Sequence, residues 1–383
     1  MLRKHSVLVN ALGVRNSGAL FVLNKAIREF VSCKAYRYIV ICHLCENTSE
    51  FKMKYEKYRH VDFIFVDNNS FWYRLYYENF KFLEVIDRKN VLLVYNFSGS
   101  IQFTHEVPQL VKVHNLLFFS KRLDTVYFKK RIFFTWIKQV FLKRQVLKLM
   151  MRYSRFIEIQ SPHVKNGLAD FMRIDNKVFY IKSDVAISQR SFSKPKEFDR
   201  LKKIKFLYIV GPHFGYVHKN FNDFTIAMLS LLDKGIDFEI NITLTREQLK
   251  DSDFWCESLN SKTNFLGYIN DQEKMTELFC DNTILISTSI VETLGLHVIE
   301  GIKNGVITIT PNENYVNSVY GKNVFKYELF NNDSLLESIR SVINYKGLHQ
   351  ENILSIQDDL KRSEMSKFRS SLDVFNEVIY VQK

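Results

Sequence analysis

The stretch "STSIVETLGLHVIEGIKNGVITITP", residues 287–311, contains the end of one strand, a loop, a helix and a second strand. The apolar run TILISTS (283–289) leads into it, and the β-branched run VITITP (306–311) closes it. Between these runs the spacing predicts a helix from about His297 to Lys303. A strand, a helix and a strand in this order predict a parallel βαβ unit, in which Gly295 lies at the helix start, above the carboxyl end of the first strand.

The same alternation of short apolar runs and amphipathic helices continues along the whole chain. A helix is predicted over 17–31 and another over about 125–152. The predicted strands form two series, separated by a polar, basic stretch around Pro195: SVLVNA (6–11), YRYIVICH (36–43), VDFIFVD (61–67), NVLLVYN (90–96), LVKVHN (110–115) and RFIEIQS (155–161), then KIKFLYIVG (203–211), FEINITL (238–244), NFLGYI (264–269), TILISTS and VITITP.

Two series of this kind predict an α/β protein with two Rossmann-like, doubly wound parallel-sheet domains that face a central cleft. The predicted boundaries are 1–185 for the first domain, 186–202 for a linker and 203–364 for the second domain. The last segment, 365–383, is predicted to be a helix that packs back on the first domain. Ligands of such domains bind at the carboxyl ends of the strands.

The cysteines and the apolar runs exclude several classes of protein. Five scattered cysteines argue against a disulfide framework and for a reducing compartment. CHLC (42–45) lacks the second ligand pair that a structural zinc site needs. The N-terminus lacks the features of a signal peptide, and no uncharged apolar run approaches 18 residues, so no membrane span is predicted.

The net charge of +13 is concentrated in one part of the sequence. Between Lys112 and Arg155 there are twelve Lys or Arg and a single acidic residue, Asp124, interleaved with large apolar side chains. Such a pattern over 121–155 favours an anionic membrane surface. A nucleic-acid interface and the solvated face of an ordinary helix are the alternatives, although no nucleic-acid recognition motif accompanies the charge.

Glu292 and Glu300 lie on either side of Gly295, eight positions apart. Free backbone amides at the start of the helix, around 294–296, form an anion site suited to a diphosphate. Glu300, one turn inside the helix, can accept hydrogen bonds from two vicinal hydroxyls, and Glu292 can contact a group beyond the anion. This arrangement fits a nucleotide-sugar; the alternative is an ordinary βα unit with two surface acids.

The same residues resemble the E-x(7)-E signature of the retaining glycosyltransferases of family 4. The matching positions are Glu292, Gly295, Leu296, Glu300 and Gly305, while Leu294, His297 and Gly301 depart from the common form. The resemblance implies the GT-B architecture, in which two Rossmann-like domains flank the cleft. It also implies donor contacts from the following residues: Gly18, His218, Lys219, Thr293, Leu294, Gly295, Leu296 and Glu300.

Further stretches carry the resemblance into other parts of the chain. YIVGPHFGYVHKNF (208–221) resembles the segment whose lysine, here Lys219, contacts the donor diphosphate; the usual preceding arginine is absent, and His218 is a partial substitute. VKVHN (111–115) resembles a strand end of bacterial surface-polysaccharide enzymes, which implies that His114 and Asn115 face the acceptor. Asp67 is a third acceptor-side candidate, and Glu292, His114 and Lys219 form the predicted catalytic set.

The resemblance implies a retaining, metal-independent transferase that needs no cofactor beyond its nucleoside-diphosphate-sugar co-substrate. The implied acceptor is a glycan, carried on a polyprenyl diphosphate, in O-antigen or other lipopolysaccharide biosynthesis. The protein is then expected in the cytoplasm, bound peripherally to the inner membrane face through 121–155, with no nucleic-acid partner. Two alternatives are a catalytically idle partner subunit with the same fold and a nucleotide-sugar epimerase of the same architecture.

Overall fold

The computed structural model describes residues 5–14, 17–68, 70–103, 106–184, 192–250, 252–269, 271–345, 349–363 and 369–382. They form two compact units. Unit 1 comprises Met1–Phe119, Phe134–Asp184 and Phe368–Lys383, and unit 2 comprises Ser120–Phe133 and Val185–Lys367. Part of the predicted linker, 186–191, and residues 365–368 and 383 of the predicted C-terminal helix lie outside the described residues.

Each unit is built on one parallel sheet. Among the described residues, seven strands form the sheet of unit 1 in the order β3-β2-β1-β4-β5-β6-β7, and six form that of unit 2 in the order β10-β9-β8-β11-β12-β13. The strands are β1 (Ser6–Ala11), β2 (Arg37–His43), β3 (Val61–Val66), β4 (Val91–Asn96), β5 (Gln109–Val113), β6 (Phe156–Ile159), β7 (Val178–Ile181), β8 (Ile204–Tyr208), β9 (Phe238–Ile242), β10 (Thr263–Phe265), β11 (Thr283–Ile286), β12 (Ile307–Pro311) and β13 (Phe325–Tyr327).

Helices connect these strands. In chain order they are α1 (Ser17–Ser32), α2 (Glu46–Tyr55), α3 (Phe71–Tyr76), α4 (Phe82–Lys89), α5 (Lys121–Lys129), α6 (Phe133–Trp136), α7 (Leu142–Tyr153), α8 (Pro162–Ala169), α9 (Phe221–Asp233), α10 (Arg246–Lys250), α11 (Gln272–Glu277), α12 (Leu296–Lys303), α13 (Asn314–Tyr320), α14 (Asn332–Ile343), α15 (His349–Arg362) and α16 (Ser371–Gln382). Two five-residue π-helical turns, Tyr77–Lys81 and Ile137–Phe141, join α3 to α4 and α6 to α7.

The sheet of unit 1 is covered on both faces, as in a doubly wound fold. Val7 and Val9 of β1 belong to one buried apolar cluster, and Leu8 belongs to another on the opposite face. Because successive side chains of a strand point to opposite faces, a strand covered on both sides is apolar throughout. α16 contributes Val374 and Phe375 to the first cluster.

The structure corrects the predicted elements in two respects. Two edge strands, β7 and β13, were not predicted. The helix predicted over about 125–152 is also wrong as one element, because the chain breaks after α5, where Arg131 adopts a left-handed conformation (φ 56°). The amide of Ile132 donates to Tyr127 O (3.1 Å) and that of Arg131 to Phe128 O (3.0 Å), which closes the helix end in a Schellman motif.

The break divides the basic segment 121–155 between the two units: α5 belongs to unit 2, and α7 belongs to unit 1. The later part of the predicted linker, 192–202, belongs to unit 2, where the amides of Ser193 and Lys196 donate to Lys303 O and Gly305 O (2.8 and 2.7 Å). Within the described ranges, no helix is long and apolar enough to cross a membrane.

Candidate functional site

The loop after β11 and the turn before α9 meet at the carboxyl edge of the unit 2 sheet. The amide of Ile290 donates to His218 O (2.8 Å), and Thr288 Oγ1 donates to Lys219 O (2.7 Å). The hydroxyl of Thr288 is in turn 2.6 Å from that of Tyr208, in β8. Two segments that lie about seventy residues apart in the sequence are therefore fixed against each other.

These contacts bring Lys219 to Glu292. Lys219 Nζ lies 2.7 Å from Glu292 Oε1, and both side chains are half-buried. Burial acts to raise the pKa of Glu292, but Lys219 and then His297 outweigh it, and the pKa falls to about 2. Glu292 is therefore an anion at neutral pH.

The two histidines beside this pair are neutral at physiological pH. Burial, reinforced by Lys219, lowers the pKa of His218 to about 4. Burial also lowers the pKa of His297 to about 4, although Glu292 opposes the shift. Lys219 is thus the cation of this pair of loops, and the histidines can act there only as neutral hydrogen-bonding groups.

Gly295 begins α12 in a left-handed conformation (φ 59°). A side-chain Cβ at this position would lie 2.0 Å from the hydroxyl oxygen of Tyr320, which donates to Leu294 O at 2.5 Å. Only glycine fits both the backbone and the space. The first amides of a helix have no intrahelical acceptor, so the start of α12 presents N–H groups and the positive end of a dipole.

The side chains of the loop have different roles. Leu294 is buried in an apolar cluster, and Leu296 packs against the same cluster. Thr293 is half-buried. The predicted donor contacts of Leu294 and Leu296 can therefore come from their backbone amides and not from their side chains.

Glu300 lies one turn inside α12 and is half-buried. Burial raises the pKa of its carboxyl group, and Lys303 only partly opposes the shift. Among the described residues no side chain or amide donates a hydrogen bond to this carboxylate. A carboxylate partly removed from water without donors is unusual in a folded protein and suits a ligand that brings its own hydroxyls.

Unit 1 holds the remaining predicted site residues at the carboxyl edge of its own sheet. Gly18 lies in the first turn of α1, after β1. His114 and Asn115 follow β5, and Asp67 follows β3. The structure does not bring Asp67 to His114, because β3 and β5 are four strand spacings apart, about 19 Å at ~4.8 Å each. Asp67 is also exposed.

The environments of His114 and Asn115 differ. The His114 ring lies 4.7 Å from the ring of Phe97, and burial together with Lys112 lowers the pKa of the imidazole to about 3. Such an imidazole is a weak general base at neutral pH. Asn115 is exposed, and its Oδ1 accepts a hydrogen bond from the amide of Leu117 (2.8 Å).

Two residues of the site were missed by sequence reasoning. His297 was noted only as a departure from the common pattern, yet its Nε2 lies 2.9 Å from Ser287 Oγ and its charge state is coupled to that of Glu292. Tyr320 fixes the loop at Gly295 from α13. No local signal in the sequence connects a tyrosine to a glycine 25 residues earlier.

Comparisons with known proteins agree with this architecture. Residues 244–353 match the family described as "Glycosyl transferases group 1". No curated protein sequence matches the chain. Alr3699/HepE from Anabaena, in complex with UDP and glucose, superimposes with a TM-score of 0.60 at 12% identity, over 99% of each chain.

Two other solved structures are similar over comparable lengths. The apo form of the lipopolysaccharide outer core galactosyltransferase WaaB has a TM-score of 0.62 at 13% identity, over 99% of this chain and 100% of that chain. A mutant of S. aureus TarM, in complex with Fondaparinux, alpha-GlcNAc-glycerol and UDP, has a TM-score of 0.63 at 12% identity, over 99% of this chain and 100% of that chain. At these identities the likeness concerns the fold.

The predicted fold class is confirmed: two parallel-sheet α/β domains form a GT-B architecture. The family match spans the loop that carries Glu292 and the helix that carries Glu300. Together, the match and the fold support a glycosyltransferase of group 1.

Proposed function

We propose that this protein is a retaining glycosyltransferase, which moves a sugar from a nucleoside-diphosphate-sugar to a hydroxyl of a glycan acceptor. The family match over 244–353 supports the transferase class. Similar folds carry UDP with glucose in HepE and UDP with alpha-GlcNAc-glycerol in TarM, which supports a nucleotide-sugar donor and a glycan acceptor.

The carboxylate of Glu300 is the observation on which this proposal depends. It is half-buried one turn beyond the helix start, without a hydrogen-bond donor among the described residues. Two vicinal ribose hydroxyls would supply the missing donors. The adjoining diphosphate would then meet the amides at the start of α12, where the helix dipole favours negative charge.

Negative charge grows on the leaving diphosphate as the bond to the sugar breaks. Lys219 and the amides at 294–296 would stabilise it, being in position before the reaction starts. Glu292 would hold the donor sugar, and a donor contact from Gly18 stays a prediction. We favour front-face attack by the acceptor, with the leaving phosphate as the proton acceptor.

The proposed site uses a lysine and a helix start where other enzymes use a divalent cation. In the described part of the chain, no group of three or more His, Cys, Asp or Glu side chains could hold a metal ion. We propose that neither metal nor cofactor takes part. Activity that survives extensive chelation with EDTA would support this, and activity restored only by added Mg²⁺ or Mn²⁺ would refute it.

On the acceptor side, we propose that His114 and Asn115 contact the incoming glycan. The low pKa of His114 suits a neutral hydrogen-bond partner better than a proton acceptor. Asp67, at the edge of the sheet, remains a weaker candidate. Replacing His114 with Asn should therefore raise the KM for the acceptor more than it lowers kcat.

We further propose a lipid-linked acceptor of cell-surface polysaccharide biosynthesis, reached from the cytoplasmic face of the membrane. The basic segment 121–155 would bind anionic lipid. Lys138 and Arg152 are exposed, so reversing both charges should weaken binding to vesicles that contain phosphatidylglycerol. The same double reversal at the exposed Lys52 and Lys54 is the matched control; equal losses in both variants would contradict a docking role for the segment.

Transfer itself is tested by product analysis with a panel of nucleotide-sugars and glycan acceptors. A product that keeps the anomeric configuration of the donor, absent when Glu292 is replaced by Gln, is the expected result. Nucleotide binding without any transfer would instead favour an idle partner subunit. A changed donor sugar without an acceptor would indicate an epimerase.

A further inference from the structure

Unit 1 contains a pocket that the predicted site does not use. Its volume is about 440 Å³, within the range of small-molecule sites. The walls come from α3 and the π-helical turn after it, from the loop after β4, and from α7. The pocket therefore opens beside the carboxyl edge of the sheet, where the strands of this fold class present their ligands.

The two ends of the pocket differ in polarity. One end is apolar and is formed mainly by α7, with Leu142, Val146, Leu147 and Met150. The other end is polar and contains Arg74, Glu78, Ser98 and Ser100. An apolar chain joined to a polar head would match this lining, because an apolar group against the polar residues, or a polar group against the apolar ones, would cost free energy.

The polar end is a buried network centred on Glu78, whose side chain is 1% exposed. Glu78 Oε1 accepts hydrogen bonds from Asn10 Nδ2 (2.9 Å), Ser100 Oγ (2.8 Å) and Arg74 Nε (2.9 Å). Arg74 Nη2 also donates to Ser100 Oγ (3.0 Å). The network fixes both charged side chains at the end of the pocket.

Each member of this ion pair keeps one atom for a ligand. Among the described residues, neither Glu78 Oε2 nor Arg74 Nη1 has a hydrogen-bond partner. Arg74 Nη1 lies close to Gly13, where a Cβ would be 2.7 Å from it. The lining of the pocket thus includes a buried residue with a remaining acceptor atom, Glu78, and a residue with a remaining donor atom, Arg74, which is 27% exposed.

This pairing selects the chemistry of the head group. A hydroxyl both donates and accepts, so one or two sugar hydroxyls satisfy Glu78 and Arg74 together. A phosphate would satisfy Arg74 but would be repelled by the carboxylate of Glu78. The polar end therefore favours a neutral, hydroxyl-bearing head over an anionic one.

The surface outside the apolar end continues the apolar character. Leu142, Val146 and Leu149 of α7 are 55%, 42% and 50% exposed, and Trp72 of α3 is 77% exposed. The helices on both sides of the pocket contain the π-helical turns, a feature found often at functional sites. A chain that leaves the pocket along α7 would remain in contact with apolar side chains.

We propose that this pocket binds the acceptor as an amphiphile, with a hydroxyl-bearing sugar at Glu78 and Arg74 and an aliphatic chain along α7. The proposal names the acceptor class for the function proposed above and rests on it. It gives the lipid-linked acceptor an orientation: the sugar lies at the sheet edge, and the chain leads out over α7. Lys143, which also lines the pocket, supplies a cation for a phosphate between them.

Binding is tested on the full chain with n-octyl β-D-glucoside, kept below its critical micelle concentration and without nucleotide. Titration calorimetry should show binding at least about tenfold tighter than that of either glucose or octyl phosphate, because each comparator lacks one half of the match. Since no donor is present, failure of this assay is distinct from failure of nucleotide binding, which is measured separately with UDP.

A pair of variants on α7 separates the pocket from the surface. Val146→Asp places a charge on the apolar wall and should weaken binding at least about tenfold. Gln145→Asp is the matched control: it places the same charge on the exposed surface of the same helix, but residue 145 neither lines the pocket nor belongs to the apolar surface, so binding should change less than about twofold. Equal losses in the two variants would mean detergent adsorption and would overturn the proposal.

The head group is tested by Glu78→Gln, with the circular dichroism spectrum as the check on folding. In a folded variant, preference for the glucoside over octyl phosphate should fall, because the repulsive carboxylate is gone. An unchanged preference would overturn the assignment of Glu78. If the variant does not fold, the wild-type protein alone tests the assignment. Tighter binding of octyl phosphate than of octyl glucoside to the wild type would refute it.

Discussion

Replacing Glu300 with Ala separates ligand binding from protein stability. The carboxylate is half-buried without donors, and burial raises its pKa. Hydrogen bonds to a charged group contribute about 1.5–3 kcal/mol each. Two hydrogen bonds from ribose hydroxyls, less the cost of burying the carboxylate completely, would contribute about 3 kcal/mol to binding. Loss of this contribution in Glu300→Ala should raise the Kd of a nucleoside diphosphate roughly 100-fold.

A thermal-shift assay converts this loss into a temperature. At a UDP concentration 100 times the wild-type Kd, binding stabilises the folded state by about 2.7 kcal/mol. For a unit of this size, that corresponds to a rise in Tm of about 5–10 °C. With a Kd 100-fold weaker, the same concentration gives about 0.4 kcal/mol, or a rise of about 1 °C.

Without ligand, Glu300→Ala should not lower the stability of the protein. Because the folded-state pKa of Glu300 is raised, the folded protein favours the neutral acid, and stability is lost as the pH rises through that pKa. Glu300→Ala removes this penalty, so at pH 7 its Tm without ligand should equal or exceed that of the wild type. The margin should shrink towards pH 4, where the carboxyl group is protonated in both the folded and the unfolded state.

The control is Glu337→Ala, which removes an exposed carboxylate from α14 of the same unit. Its nucleotide-dependent shift should match that of the wild type. Should Glu300→Ala keep the full shift with UDP and with GDP, the ribose assignment would be wrong. A variant that is less stable without ligand at pH 7 would show that Glu300 has a structural partner.

Three further changes test the surrounding structure. Lys219→Ala should raise the pKa of Glu292 from about 2, because only His297 and His218 then oppose the effect of burial, and weaken donor binding by about 1.5–3 kcal/mol in calorimetry. In urea unfolding, the wild type should lose stability as the pH falls from about 4.5 to 2, and the variant should lose less. Gly295→Ala should destabilise by about 2–4 kcal/mol, since the left-handed backbone and the Tyr320 hydroxyl both oppose a Cβ; adding Tyr320→Phe should recover part of this. Lys112→Met should cost about 3–5 kcal/mol, as it leaves two buried carboxylates without their cation, while UDP binding in unit 2 stays within twofold.

The sheets could be predicted because buried parallel strands are apolar on both faces. β1 and β2, for example, appear in the sequence as continuous apolar runs of the right length. The two strands that were not predicted, β7 and β13, are edge strands of four and three residues, with one neighbour each. Each of these two strands forms through its pairing with a single neighbouring strand. Its own few residues therefore show little of the apolar pattern from which a strand is predicted.

The break at Arg131 had no signal in the sequence. A helix end in the left-handed conformation is usually marked by glycine or asparagine. Here the stretch KKRI (129–132) contains only helix-compatible residues, and the helical periodicity continues on both sides. The turn lies where the chain passes from unit 2, which contains α5, to unit 1, which contains α7.

The positions of the proposed donor-side residues could be predicted because these residues are close in the sequence. Glu292, Gly295 and Glu300 lie within nine residues, and the structure has them on one loop and one helix, as predicted; their role in binding a donor stays a prediction. The pocket of unit 1 could not be predicted from the sequence, because its residues are far apart along the chain. Its polar end joins Asn10 to Glu78, 68 residues apart, and neither residue has a distinctive neighbourhood in the sequence.

Under the proposed function, the ion pair between Lys219 and Glu292 would make donor binding an exchange of partners. A diphosphate at the start of α12 would compete with Glu292 for Lys219, because both are anions that seek one ammonium group. Glu292, held at a pKa of about 2, would then be a carboxylate without its cation. A nucleoside diphosphate alone offers it nothing, whereas the hydroxyls of a donor sugar do. The diphosphate would give Lys219 a new partner, but Glu292 would gain one only when the nucleotide carries a sugar. Under the proposed function, the pair would therefore favour the complete donor over the product nucleotide.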